Sequence, residues 1–191
     1  MIADQATDRQ QPSGLALRRL QRRCQARLDE LGLELPVPFT LEGFCRALGE
    51  RLGRTIEPRP VPTRTGPCGL WVVKNGIDYF LYEEATTRLH QQLIVGHEAG
   101  HLILGHEAIE VMYEDFAAAL GFETRLVQRM LGRRSYSKPQ EQEAEVLGTL
   151  VVQQAVHAVA PARQPADPAD AAVLDRVEAA LRGSPEPPDG G

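Results

Sequence analysis

Apolar residues recur every three or four positions in two stretches near the start of the chain. In the first stretch, Leu15–Leu31, this spacing predicts an amphipathic helix. In the second, Thr40 is a favourable N-cap and predicts a short helix over Leu41–Leu52. The connection between the two helices is too long and too rich in proline for the tight turn of a helix-turn-helix. We therefore do not expect that DNA-binding motif.

The next part of the chain has a pattern typical of strands. Residues Thr55–Val61 predict an edge strand, because the two prolines in this stretch cannot donate ladder hydrogen bonds in a central one. Residues Gly69–Lys74 and Ile77–Tyr82 flank the dipeptide Asn75-Gly76, which favours a type I′ turn. The pair therefore predicts a β-hairpin.

Helical spacing returns at Leu89–Gly105 and continues along the chain. Two short helices are predicted at Ile109–Leu120 and Thr124–Leu131. Ser137 then opens a capping-box sequence, which predicts a longer helix from Lys138 to about Ala158.

The Leu89–Gly105 segment carries His97, Glu98 and His101 in the order HExxH. Residues four apart lie on the same face of a helix, so both histidines can direct a ring nitrogen at one metal ion. Zinc in such a site polarises a substrate carbonyl and acidifies water, and the adjacent glutamate is placed to act as general base. The flanking residues are apolar enough to bury the helix, where histidines without partners would be costly. The motif therefore indicates a zinc hydrolase.

A catalytic zinc site needs a third protein ligand. Glu141, in the first turn of the last predicted helix, is the predicted ligand, because small Ala144 and Gly148 allow that helix to approach the HExxH helix closely. Glu145, one turn later, is an alternative, either as the ligand or as a hydrogen-bond acceptor for a ligand histidine. His106 misses the spacing of a metzincin third histidine and is expected to be an ordinary histidine at a helix C-terminus.

Further residues have weaker indications. Tyr136 is the predicted catalytic donor to the developing oxyanion, with a packing role as the alternative. Glu143 is expected to be a solvated acidic residue favoured by the helix dipole. The three cysteines, at scattered spacings, are expected to be free thiols, and Cys68 could either pack structurally or cap the zinc as a latency switch.

The hairpin, the HExxH helix continuing as HLILGH, and the later ExxA sequence resemble the ImmA/IrrE family of gluzincin-like metallopeptidases, over residues 40–157. The resemblance implies that His97, His101 and Glu141 bind zinc and that Glu98 is the general base. It also implies a regulatory protease that cleaves a separately encoded transcriptional repressor. The chain departs from the family at Glu145, where members usually have Asn or Asp.

These patterns predict an α+β fold, a single zincin-like domain in which a small antiparallel sheet packs on the HExxH helix. The domain is expected at residues 14–160, with N-terminal helices at 14–52 and a catalytic core at 53–160. Residues 1–13 are polar and residues 161–191 are rich in Pro, Ala and Asp, so both segments are expected to be largely disordered.

The predicted function is that of a zinc (Zn²⁺) metalloprotease, an endopeptidase acting on a specific intracellular protein. One alternative is a regulatory binding protein that contains the metal without being proteolytic. Another is a nucleic-acid-binding regulator that uses an arginine-rich face of the first helix, formed by Arg18, Arg19, Arg22, Arg23 and Arg27. The net charge of −5 argues against phosphate neutralisation as the main activity, so direct nucleic-acid binding is not expected.

The chain has neither of the usual sequence signals for a membrane. No apolar run reaches the roughly 18 residues needed to span a bilayer. The polar N-terminal residues do not resemble a signal peptide. We therefore expect a cytoplasmic protein with no membrane partner.

Overall fold

A computed structural model describes residues 14–62, 69–110 and 136–159. It has an α+β architecture, as predicted. The elements in chain order are α1 (Gly14–Leu31), α2 (Leu41–Leu52), β1 (Thr55–Val61), β2 (Gly69–Lys74), β3 (Ile77–Glu83), α3 (Arg88–Ile103), β4 (Ile109–Glu110) and α4 (Lys138–Val159).

The two N-terminal helices form as the apolar spacing predicts. In α1 the side chains of Cys24 and Leu28 are buried, and the helix packs against α4. Helix α2 begins at the cap predicted for it, where the Thr40 hydroxyl accepts a hydrogen bond from the Gly43 amide at 3.1 Å. It ends at Gly53, whose φ of 66° is readily adopted by glycine. Helix α2 packs against β1.

The four strands form one mixed sheet in the order β1-β3-β2-β4. The hairpin of β2 and β3 is antiparallel, and its turn residues Asn75 and Gly76 have φ values of 50° and 76°, both positive as a type I′ turn requires. Among the described strands, β1 pairs with β3 alone, in agreement with the edge position indicated by its prolines.

The prediction of a wholly antiparallel sheet is wrong for both outer strands. Strand β1 pairs in parallel with β3, and Thr55 lies opposite Ile77. Strand β4 pairs in parallel with β2. The physical reason is that β3, and not β2, lies beside β1. Since the chain reverses direction twice between β1 and β3, these two strands run the same way.

Helix α3 lies at the centre of the packing, in contact with β2, β3 and α4. Buried apolar side chains from the sheet and from three helices meet around it. Those without measurable exposure include Phe44, Leu48, Phe80, Val95 and Leu147. This arrangement confirms the predicted packing of the sheet on the HExxH helix.

Asp78 is one of the charged residues that are buried in the described part of the chain. The Asp78 carboxylate has 0% exposure and accepts two hydrogen bonds from the Arg54 guanidinium, at 2.6 and 2.8 Å. It also accepts one from the indole nitrogen of Trp71, at 2.7 Å. The hydrogen bond to Asp78 raises the pKa of Arg54, so the guanidinium stays charged. The three residues tie the end of α2 to the hairpin.

Other sequence predictions meet the structure only in part. The helix predicted at Ile109–Leu120 is wrong at its start, because Ile109–Glu110 form β4 by pairing with β2. The remainder of that helix, the helix at Thr124–Leu131, and the predicted disordered segments at 1–13 and 161–191 lie outside the described residues. Among the described helices, none has the length and apolar character needed to cross a bilayer.

Candidate metal centre

Helix α3 presents the two histidines of the HExxH motif side by side. The helix starts after Thr87, whose hydroxyl accepts a hydrogen bond from the His90 amide. One turn separates His97 from His101, so both rings project from the same face. Their Nε2 atoms are 3.0 Å apart. The His101 side chain is fully buried, whereas that of His97 is 25% exposed.

Helix α4 brings Glu141 to the same point. Its capping box forms as predicted: the Ser137 amide donates to Gln140 Oε1 at 3.0 Å, and the Gln140 amide donates to Ser137 Oγ at 3.4 Å. Glu141 follows in the first turn. Its carboxylate oxygens lie 3.3 Å from Nε2 of His97 and 3.9 Å from Nε2 of His101.

The two helices approach each other closely enough for backbone contact. A Cβ atom built on Gly148 would lie 2.5 Å from the carbonyl carbon of Gly96 and 2.6 Å from the amide nitrogen of His97. A Cβ on Gly100 would lie 2.9 Å from Cα of Ala144. The close approach predicted from Ala144 and Gly148 is thus present, and it depends equally on the two glycines of α3.

The donor set fits a single metal ion. Ligand atoms bound at about 2.0–2.1 Å to a tetrahedral metal are separated by about 3.3 Å. The two imidazole nitrogens are 3.0 Å apart, and the carboxylate of Glu141 comes within 3.3 Å of one of them through Oε2 and within 3.9 Å of the other through Oε1, which is close to that value. His97, His101 and Glu141 are therefore a group that could hold a metal ion. The exposure of His97 and Glu141 leaves the centre open to solvent on one side.

Glu98 directly follows His97 in the chain and does not belong to this donor group. Its residue exposure is 1%. A Cβ atom on Gly69, at the start of β2, would lie 2.7 Å from Glu98 Oε1, so only glycine leaves room for the carboxylate there. Strand β2 therefore packs closely on the Glu98 carboxylate.

Tyr136 lies against the predicted ligands through its ring. The ring stacks on that of His101 with centroids 3.7 Å apart and an angle of 16°. Its hydroxyl donates a hydrogen bond to the Glu107 carbonyl at 2.7 Å. The structure thus shows the packing contact that was the alternative interpretation, and the catalytic donor role stays a prediction.

His106 and Glu143, for which no role at the site was predicted, extend the contacts of the predicted ligand His101. Nδ1 of His106 lies 2.8 Å from Nδ1 of His101, and Nε2 of His106 lies 3.4 Å from a carboxylate oxygen of Glu143. Glu143 also accepts a hydrogen bond from Arg23 of α1, at 2.9 Å. The expectation that Glu143 is merely solvated is wrong. Glu145, the alternative ligand, is exposed and lies outside the donor group.

The cysteines described by the structure do not belong to the metal centre. Cys24 and Cys45 are buried free thiols. Burial, followed by the charge of Glu143, raises the pKa of the Cys24 thiol from 9.0 to about 11, so it is protonated at neutral pH. Burial raises the pKa of Cys45 as well. Cys68, the predicted structural residue or latency switch, lies outside the described residues.

Comparison with known proteins gives no assignment. Neither protein-family models nor curated proteins match this chain. Its function therefore has to be argued from the chemistry of the site, and the resemblance to the ImmA/IrrE family stays a prediction.

Proposed function

We propose that this protein is a zinc-dependent endopeptidase that hydrolyses a peptide bond in a specific intracellular protein, with a separately encoded transcriptional repressor as the target. The observation that carries the proposal is the convergence of the donor atoms of His97, His101 and Glu141 from α3 and α4, together with the burial of Glu98, which directly follows His97 in the chain. A purely structural metal site would have no use for that carboxylate.

The proposed metal is zinc because of the donor chemistry. Two imidazoles and one carboxylate are a common ligand set for catalytic zinc and leave a position for a non-protein ligand. Calcium and magnesium prefer sites built from oxygen donors alone. When bound, zinc would supply Lewis-acid activation of the substrate carbonyl and of water.

In this proposal, different residues of the protein bind the metal, transfer the proton and stabilise the oxyanion. His97, His101 and Glu141 hold the ion between two helices that cannot slide apart without losing their backbone contact. Glu98 takes a proton from the attacking water and passes it to the leaving amine, which needs a carboxylate adjacent to the metal and not bound to it. Tyr136 would donate to the oxyanion after exchanging its hydrogen bond with the Glu107 carbonyl.

The test is the substitution Glu98→Gln. Glutamine has nearly the shape of glutamate but cannot accept the proton, so the variant should keep the fold and the zinc and lose cleavage. Zinc-loaded wild type and variant would each be added to a lysate of the cells that encode the protein, and new protein N-termini would be quantified by mass spectrometry. We expect termini that appear with wild type and are absent with the variant.

Two outcomes would contradict the proposal. New termini formed equally by both proteins would show that Glu98 is not the base. A zinc-loaded wild type that produces no new termini, in a lysate where an added unrelated zinc peptidase does so, would favour the non-proteolytic binding protein.

A further inference from the structure

We infer that His106 and Glu143 position the metal ligand His101. This inference rests on the proposed metal site. Its basis is a continuous chain of polar contacts from the ring of His101 through His106 and Glu143 to Arg23, with separations of 2.8, 3.4 and 2.9 Å. We call this chain of residues the relay.

The hydrogen-bond directions in the relay are mutually consistent. His101 faces His97 and Glu141 through Nε2, so a metal there takes the Nε2 lone pair and the ring proton lies on Nδ1. That proton can be donated to Nδ1 of His106 only if this nitrogen carries no proton. The proton of His106 is then on Nε2, which faces Glu143 Oε2. Each group thus donates in the one direction that leaves His101 ready to bind metal.

Local structure explains how a histidine just past the end of α3 reaches a side chain inside it. Gly105 adopts a φ of 73°, and its amide donates to the Leu102 carbonyl at 3.1 Å. The next amide, of His106, donates to the carbonyl of His101 at 2.9 Å. These two bonds form a Schellman motif, which folds the chain back over the last helical turn. This reversal places the ring of His106 against the ring of His101.

Glu143 follows the ligand Glu141 by two residues, so the two carboxylates leave α4 in different directions. One faces the metal centre, and the other faces His106 and α1. Helix α1 contacts Glu143 twice, because Arg23 binds its carboxylate and Sγ of Cys24 lies 3.7 Å from its backbone carbonyl. Arg23 itself is 72% exposed, so its ion pair contributes little and the relay depends mainly on His106 and Glu143.

A metal-bound histidine usually donates its second nitrogen to a carboxylate or a carbonyl, and removing that acceptor typically weakens metal binding about tenfold to a hundredfold. In this protein a second histidine stands between the ligand and the carboxylate. Zinc affinity is therefore the direct measure of the relay, and it does not depend on any substrate.

The experiment compares His106→Leu with His106→Asn. The two replacements have nearly the same shape, but only asparagine offers an acceptor oxygen near the position of Nδ1. Zinc affinity would be measured at one pH by chelator competition, with the absorption spectrum of the cobalt-loaded protein as a report on ligand geometry. Apoprotein unfolding by urea shows whether each variant is folded. Glu145→Ala, an exposed substitution on α4, is the matched control.

We expect His106→Leu to lose zinc affinity by about tenfold to a hundredfold and to alter the cobalt spectrum. His106→Asn should recover most of the loss, and Glu145→Ala should match wild type. Equal zinc affinity in wild type and in folded His106→Leu would overturn the inference and leave the metal site standing. A folded wild type that binds no zinc would overturn both. If His106→Leu does not fold, the pair Glu143→Ala and Glu143→Gln decides, since only glutamine keeps an acceptor for His106.

Discussion

The residues of the metal centre differ in how far the sequence predicts them. His97 and His101 follow from helix periodicity, which is a local property of the chain. Glu141 follows from the cap that starts α4 and from the small residues behind it. The contact between His106 and Glu143 has no such local signal, because it depends on the chain reversal at Gly105 and on the rotation of α4 about its own axis. The sequence indicated this contact only through the position of His106, directly after Gly105.

Replacement of Asp78 should lower the free energy of unfolding, because its carboxylate accepts hydrogen bonds inside the protein. Asp78→Ala would leave the indole N–H of Trp71 buried without its acceptor, while the half-exposed Arg54 can turn to water. We expect a loss of about 2 kcal/mol in the free energy of unfolding, measured by urea titration of the apoprotein. The control is Asp29→Ala, which removes an exposed carboxylate that binds only Gln25 among the side chains described.

Surface changes of that kind usually alter stability by less than about 0.5 kcal/mol. If Asp78→Ala were no more harmful than Asp29→Ala, the buried network would not contribute to stability, and the account of the core would be wrong on this point.

At the scale of elements, the pair of α3 and α4 is the part on which the site depends. Neither helix holds the complete donor set, since α3 supplies the two imidazoles and α4 the carboxylate. Glycines let the two backbones touch, so the distance between the donors is set by the packing of the helices and not by flexible side chains alone. A larger residue at this contact should therefore affect both stability and metal binding.

Gly148→Ala tests this dependence. The added methyl group would overlap the backbone of Gly96 and His97, which cannot yield without moving α3. We expect unfolding to become easier by about 1–3 kcal/mol, together with weaker zinc binding. Urea titration and chelator competition measure the two effects. Gly14→Ala is the control, because nothing lies within 4 Å of its added methyl group. An unchanged zinc affinity in Gly148→Ala would show that the helix contact does not set the donor geometry.

The sequence pattern predicted most of the strands of the sheet but not the way in which they pair. Alternation, prolines and the Asn-Gly turn predicted β1, β2, β3 and the hairpin, because these signals act over a few neighbouring residues. Which strand lies beside β1 is decided by packing between distant parts of the chain. Parallel pairing of β1 with β3 was therefore not predictable from the strand patterns, and neither was the short strand at Ile109–Glu110.

In the molecule as a whole, three separate parts of the chain meet at the metal centre. Helix α3 and helix α4 carry the donors, and α1 contacts Glu143 of α4 through Arg23 and Cys24. An ion bound between α3 and α4 would also stabilise the fold, because a ligand that binds only the native state lowers its free energy.

The most direct test of the central claim is the metal content of the purified protein. Wild type would be compared by elemental analysis with His97→Ala, Glu141→Ala and Glu145→Ala. We expect about one zinc per chain in wild type and in Glu145→Ala, and none in the other two, because a catalytic zinc site needs all three protein ligands. A folded wild type without metal, or full metal content in Glu141→Ala, would contradict the proposed centre.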